Sequence, residues 1–431
     1  MKKTYHIVTQ AARESAAIIE QFCQTNGQIL LPLVNLIQNA SQVVEKVMHE
    51  IGHQMLEQIL VLSAEQVAGA RTPGKASGEV RHHGTQPGCV QLADRKMKVK
   101  RPRLRHKTTG EVKVPAYEML RQDRGLGQHI LGALLRGVST REYQEVLPQM
   151  AETVGVSRSA VSRKAVEASA EQLKRLQERR WDNVEILVIY IDGQRFGEHH
   201  ILSAVGVDVE GKKHILGIEL GATENAAGVK RLLIHLRDHG LPTDRQYLFI
   251  IDGAKALRAA IEEVFGNQQP VQRCRNHKVR NVVDELPRQQ QGQALNLMRA
   301  AWKVKTAEEG EKRIEQLARF LEREHESAAR SLREGIKEMF TLQRLKVPQS
   351  LHKCLATTNI IESPQGGVER RTHNVTRWRD ADMVERWVAS AWVLTEKHFR
   401  RIDGHADLWA LAAILGREIK SSTQPSKEKV A

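Results

Sequence analysis

Two stretches of the chain carry the same chemistry-bearing pattern, Tyr190-Ile191-Asp192-Gly193 and Ile250-Ile251-Asp252-Gly253, each an apolar run that stops at a carboxylate followed by glycine. Asp-Gly is also ordinary turn chemistry, and a single copy reads first as the turn that closes a strand. Two copies at matched ends favour a shared site, because α/β sheets gather their functional groups at the carboxyl ends of strands. Magnesium is held by one or two protein carboxylates together with phosphate oxygens of its substrate, so a bare Asp pair in a basic protein suits phosphodiester chemistry. Two ions about 4 Å apart would activate the attacking oxygen and stabilise the leaving one.

The elements that must position these residues follow Trp181. Near-continuous apolar runs of strand length occur at Glu185–Ile191, Ile201–Val207, His214–Leu220 and Tyr247–Ile251, with a helical stretch, Ala226–Asp238, before the last. Three strands joined by tight turns such as Glu210-Gly211, then a helix, then a strand parallel to an earlier one, describe an α/β sheet with a mixed edge. The ribonuclease-H arrangement has this order. From about Val282 to Phe340 the chain is helical and highly charged. The fold expected is therefore an α/β ribonuclease-H-like catalytic domain in two parts, 181–281 and 351–416, split by a helical insertion over 282–350. Residues 417–431 are polar and read as a disordered tail.

A chain of 431 residues holds two or three compact units. Lys plus Arg outnumber Asp plus Glu by 66 to 51, a formal charge of +15, which favours a polyanionic partner, nucleic acid or an acidic membrane surface. The longest apolar stretches, such as Ile186–Ile191, are far short of the roughly 20 residues that span a bilayer. Cys23, Cys89, Cys274 and Cys354 lack the spacing of a disulfide framework, which fits a reducing, cytoplasmic setting.

Ahead of the α/β domain, residues 1–70 read as helical, with Val43, Val47, Ile51, Met55 and Ile59 at helical spacing. Residues 71–118 read as a small basic β segment, with alternating runs at Cys89-Val90-Gln91-Leu92 and Met97-Lys98-Val99-Lys100. Eleven Lys or Arg against two acids over residues 71–110 concentrate the positive charge there, and Arg101, Arg103 and Arg105 are candidate phosphate contacts. Residues 119–180 carry helix-turn-helix grammar: a helical segment from Val138 breaks at Pro148, Gly155 supplies a turn, and Ser157 can cap a second helix. That helix would expose Arg158, Ser159, Ser162 and Arg163 to DNA; a plain packed hairpin is the alternative.

The chain resembles the mutator-type transposases of bacterial insertion sequences. The resemblance runs through Tyr190-Ile191-Asp192-Gly193, Asp252-Gly253-Ala254-Lys255-Ala256-Leu257 with Ala260-Ile261, Gln272-Arg273-Cys274-Arg275-Asn276-His277 with Arg280-Asn281, and Thr358-Asn359-Ile360-Ile361-Glu362. It implies a catalytic triad of Asp192, Asp252 and Glu362, spaced by 60 and 110 residues. It further implies two Mg2+ or Mn2+ ions, double-stranded DNA of transposon ends and target as substrate, and a homodimer or larger assembly on DNA in the bacterial nucleoid. Glu362 rests on the resemblance alone, since many glutamates follow the insertion. Ser363-Pro364-Gln365-Gly366-Gly367 departs from the more basic run of many relatives, although Arg370, Arg371, Arg377 and Arg379 soon restore the charge. The family also shows a Cys-x-x-His pair, here Cys274 and His277. A structural zinc wants four ligands, which His352 and Cys354 would have to complete, and the reading preferred is a structural pair anchoring the segment after the second Asp.

Two other classes compete. His49-Glu50-Ile51-Gly52-His53 is the zinc metallopeptidase pattern, two His on one helix face with a Glu between them. No third ligand follows at the extended spacing, so an acid such as Glu65 would have to serve, and the motif reads instead as a charged turn on a helix whose apolar side is Val47, Ile51 and Met55. A non-catalytic DNA-binding regulator would explain the charge and leave the paired Asp-Gly runs unexplained.

Overall fold

The computed structural model describes residues 53–71, 78–92, 95–121, 125–138, 153–154, 158–223 and 225–417. The chain divides into two compact units, Met1–His129 with Gln144–Ser157, and Ile130–Tyr143 with Arg158–Ala431. The first half of the expected helical hairpin, His49, Glu50 and the tail over 418–431 lie outside the described residues.

In the first unit, helix α1 (residues 53–68) lies with an antiparallel ribbon, β1 (Val80–Leu92) and β2 (Arg95–His106), to which β3 (Gly110–Val112) adds; α2 (Pro115–Arg121) follows. Leu56, Leu60 and Ala64 meet Val90, Met97, Val99, Leu104 and Tyr117 in its core. The buried stripe of α1 is therefore not the one expected, since Met55 and Ile59 are exposed and the ribbon packs on the neighbouring stripe. His53 of the peptidase pattern makes a 2.9 Å hydrogen bond to the Lys98 carbonyl, so that ring is used in fastening α1 to β2. On β2 the buried side changes from Met97 and Val99 to Pro102 and Leu104. Because strand side chains alternate, Arg101, Arg103 and Arg105 share the opposite face. Thr153–Val154 is a short strand, β4, paired with β2 at Met97 and Lys96. The residues just before Gly155 thus extend the ribbon's sheet instead of closing a helix-turn-helix, because their β-branched side chains suit a strand.

The division between the units falls within α3 (Gly125–Leu134); in the second unit α4 (Arg158–Gln177) is followed by a five-stranded sheet of order β7-β6-β5-β8-β9. Strands β5 (Ile186–Phe196), β6 (His199–Asp208) and β7 (Lys213–Leu220) form an antiparallel meander. Helix α5 (Ala226–Asp238) leads to β8 (Leu248–Ile251), and α6 (Lys255–Phe265) to β9 (Val271–Arg273), both strands parallel to their neighbours. Ile189, Ile191, Phe249 and Ile251 face α5 and α6, whereas Val188, Tyr190, Leu248 and Ile250 face the later helices. A sheet buried on both faces produces the near-continuous apolar runs seen in the sequence.

After α7 (Arg275–Val283) comes a helical segment with a core of its own: α8 (Arg288–Trp302), α9 (Ala307–Leu321), α10 (Glu326–Arg333), a 3-10 turn at Lys337–Phe340 and α11 (Thr341–Arg344). It is fastened to β9 by side chains reaching backbone oxygens. Gln272 donates to the Met339 carbonyl at 3.2 Å and Thr341 to that of Val271 at 2.6 Å, while the buried Arg275 donates to Met339 and to Gln343. The chain then returns to the sheet through α12 (Gln349–Leu355), α13 (Asn359–Thr372), α14 (Ala381–Glu396) and α15 (Leu408–Ile414). No helix among the described residues is long and apolar enough to cross a membrane.

Candidate active site

Asp192 does not end its strand. The β5–β6 ladder runs on through Asp192↔Ser203 to Phe196↔His199, while pairing of β5 with β8 stops at Tyr190↔Ile250. Pairing on the β8 side therefore ends at Tyr190, and β5 runs on against β6 through Gln194 and Arg195, residues too polar to read as strand from apolar runs. Asp252 does follow its strand directly, and its Oδ1 accepts a hydrogen bond from the Ala254 N–H at 2.8 Å, closing the turn into α6. Asp192 and Asp252 each stand two residues beyond the last β5–β8 pair, so by the period of two they share the face of Tyr190 and Ile250. That is the face covered by α13, whose Ile361 and Val368 are buried in the same core.

Glu362 sits in the first turn of α13, where free backbone N–H groups favour an anion. Its Oε1 accepts from the Thr358 hydroxyl, and His277 Nε2 lies 4.0 Å away. Cys274, at the start of α7, takes a hydrogen bond at its sulfur from the Thr358 N–H (3.3 Å), and the Thr358 hydroxyl lies 3.2 Å from the same sulfur. The Cys274 N–H donates to the Ile251 carbonyl at 2.8 Å and the Arg275 N–H to that of Ala356 at 3.0 Å. These bonds stitch β8, the start of α7 and the start of α13 together, which brings Glu362 beside the two strands despite its distance in sequence.

Electrostatics ties the group into one site. Burial pushes the Asp192 carboxyl up to about 6; His277 opposes the rise and the neighbouring Asp252 carboxylate adds to it. Gln365 of α13 also faces Asp192, although its buried Nε2 makes no hydrogen bond of normal geometry. The hydrogen bond with Cys274 raises the pKa of His277 against burial, helped by Asp192 and Glu362. For Cys274, burial works upward, but the hydrogen bonds of His277 and Thr358 hold the thiol below its usual range.

The ligand-type atoms of Cys274, His277 and Glu362 lie within 4.8 Å of one another. The other two proposed zinc ligands are used elsewhere: His352 Nε2 bonds the Val347 carbonyl at 3.0 Å, and Cys354 Sγ donates to that of Asp403 at 3.4 Å. The departing run Ser363-Pro364-Gln365-Gly366-Gly367 stays within α13, and Gly367 allows close approach, since a Cβ there would stand 2.8 Å from Thr395 Cγ2. Thr358 and Gln365 were not singled out from the sequence; the available signal was the position of Thr358, one residue before the helix and four before Glu362.

Of the candidate DNA contacts, Arg101 lies over the Tyr117 ring at 4.6 Å and 3.6 Å from Glu111. Ser162 and Arg163 are exposed on α4, whose other side buries Val161, Ala165, Ala168 and Leu176. That helix is packed into the second unit, where Arg179 pairs with Glu396 of α14 at 2.7 Å. The Arg158 side chain lies outside what is described.

A family model described as "Transposase, Mutator family" matches residues 25–401. The chain belongs to the mutator family of transposases. This mutator-family transposase is 25% identical over 381 residues to the transposase for insertion sequence element ISRM5 of Rhizobium meliloti, covering 84% of this chain and 90% of that one. It is 24% identical over 318 residues to the transposase for element IS905 of Lactococcus lactis, covering 72% and 76%. It is also 30% identical over 172 residues to the transposase for element IST2 of Acidithiobacillus ferrooxidans, covering 40% and 57%. A transposase of insertion sequences acts on DNA, and the peptidase and non-catalytic readings give way to that assignment.

Proposed function

We propose that the second unit is a ribonuclease-H-like nuclease and strand transferase in which Asp192, Asp252 and Glu362 hold two Mg2+ or Mn2+ ions. The observation that carries this reading is the convergence of two Asp residues from adjacent parallel strands with a first-turn Glu of the helix covering the same face. The sheet order, a meander followed by two parallel strands, supports this reading. The donor set, three carboxylates, fits hard cations; Asp192 already resists ionisation, chiefly through burial and in smaller part through Asp252. Bound cations would supply Lewis acidity at the phosphate and an activated water or 3′ hydroxyl. The chain's own part is to fix three carboxylates on one face and to keep them charged. His277, whose protonated form is favoured by Cys274, places positive charge among them.

DNA of the element ends is the substrate, with Arg101, Arg103 and Arg105 on phosphates, and Arg158, Ser162 and Arg163 reading the ends. Two ends must be joined to one target, so the working form is a homodimer or larger assembly in the bacterial cytoplasm. The test is incubation of the protein with its flanking end DNA and Mg2+, with sequencing of products. Asp192→Asn, Asp252→Asn and Glu362→Gln should each abolish cleavage and strand transfer while end binding persists. A Glu362→Gln protein that cuts at the parent rate would remove Glu362 from the site.

A further inference from the structure

We propose that Arg273 is a positioning residue that ties the Asp252 turn to the helical insertion, so that the docking of the insertion sets how well Asp252 holds metal. This rests on the reading of Asp252 as a ligand. Arg273 ends β9 and is 5% exposed. Its guanidinium runs between two glycines from distant parts of the chain: a Cβ on Gly253 would stand 1.9 Å from Nε, and one on Gly335 2.3 Å from an Nη atom. Both glycines have positive φ, +101° and +67°, so each turn is built around that side chain.

Beyond Gly253 the fork closes on the insertion. One Nη donates to the Glu334 carbonyl at 3.0 Å and the other to the Glu334 carboxylate at 3.1 Å. Lys278, fully buried, lies 3.7 Å from the same carboxylate and donates to the Ser331 carbonyl. Nε, the nitrogen against Gly253, is buried without a partner. An anchor alone would be served at lower cost by an apolar side chain, because a buried charge with an unmade hydrogen bond is expensive. The planar fork does what an apolar side chain cannot: it holds the shape of the residue next to Asp252 while gripping Glu334, which lies 61 residues beyond Arg273. Groups that orient metal ligands in this way typically change metal affinity by about 10–100-fold when altered.

The experiment compares the full chain with Arg273→Lys, Gly335→Ala, Glu334→Gln and, as reference, Asp252→Asn. Mg2+ is titrated in the absence of DNA with the melting temperature as readout, and cleavage of end DNA is followed against Mg2+ concentration. Arg273→Lys and Gly335→Ala should need about tenfold more Mg2+ for half-maximal stabilisation and for cleavage, with cleavage recovered at high Mg2+. Glu334→Gln, which keeps the carbonyl contact and changes neither the backbone nor the size of the side chain, should shift in the same direction. Variants that melt earlier but titrate Mg2+ like the parent would overturn the proposal and leave Arg273 a structural anchor. If Arg273→Lys or Gly335→Ala fails to fold, Glu334→Gln decides by the same criterion. An Asp252→Asn protein with the parent's Mg2+ response overturns the ligand reading itself. Loss of the response in Asp252→Asn alone overturns only the role of Arg273.

Discussion

Replacing Asp192 by Asn should make the metal-free protein more stable at neutral pH and should remove the fall in stability that this carboxyl contributes between about pH 4 and 6. Asp192 is 8% exposed, and burial with help from Asp252 raises its pKa from 3.8 to about 6. A carboxyl whose folded-state pKa is raised binds its proton more tightly in the folded chain than in the unfolded one. Stability is therefore unaffected by this group below about 4, falls as pH rises toward 6, and stays reduced above. At about 1.4 kcal/mol for each tenfold change in acidity, the rise from 3.8 to about 6 corresponds to roughly 3 kcal/mol at pH 7.5. Asn carries no charge and so escapes the penalty, but it accepts less strongly from the Gly193 backbone, which brings the expected gain to about 1–3 kcal/mol. The assay is urea denaturation with a chelator present, parent against Asp192→Asn, at several pH values from 4 to 8. The smallest advantage of the mutant at pH 4 and a growing one toward pH 7.5 are expected; addition of Mg2+ should narrow the gap by stabilising only the parent. A mutant no more stable than the parent at pH 7.5, or a difference between the two that does not grow with pH, would refute the view that Asp192 is a strained anion waiting for a cation.

Three further outcomes follow from the geometry. Tyr190→Phe removes a buried hydroxyl that donates to the Cys354 carbonyl at 3.1 Å, and should lower stability by about 1–3 kcal/mol because that carbonyl is left without this donor; an unchanged denaturation midpoint would contradict it. Gly310→Ala puts a methyl 2.1 Å from the Phe340 ring inside the core of the insertion, and should cost about 1–3 kcal/mol through overpacking, read by the same denaturation; wild-type stability would mean the helices separate freely there. Replacing Arg103 and Arg105 by Ala should reduce the slope of log affinity against log salt by about 0.9 for each phosphate no longer neutralised, measured on end and unrelated DNA alike, whereas an unchanged slope on both would take the ribbon off the DNA.

The sheet was legible because burial on both faces forces its strands to be apolar, and a run such as Leu187-Val188-Ile189-Tyr190-Ile191 has few other uses. What escaped was each strand whose residues find polar satisfaction far away. Strand β9 is Val271-Gln272-Arg273, and both its polar side chains are buried. They can be buried because Met339 and Glu334 carbonyls, more than 60 residues later, accept from them. No local pattern announces that exchange, since its partners belong to a segment that must first fold around its own core.

The third carboxylate shows the same limit from the side of function. Asp192 and Asp252 were found from their positions in or after strands, a property local to each. Glu362 has a common local setting, the first turn of a helix, and what marks it out is Thr358, whose hydroxyl donates to Glu362 and whose N–H donates to the buried sulfur of Cys274. Cys274 in turn donates its N–H to Ile251, the residue before Asp252. Cys274 therefore joins the segment that carries Asp252 to the one that carries Glu362. In a chain split by an insertion, a first-turn acid four residues after a Thr that bonds both the acid and a buried cysteine is a stronger clue to the proposed third ligand than its distance in residues from the second aspartate, because the insertion sets that distance and the joint sets the geometry.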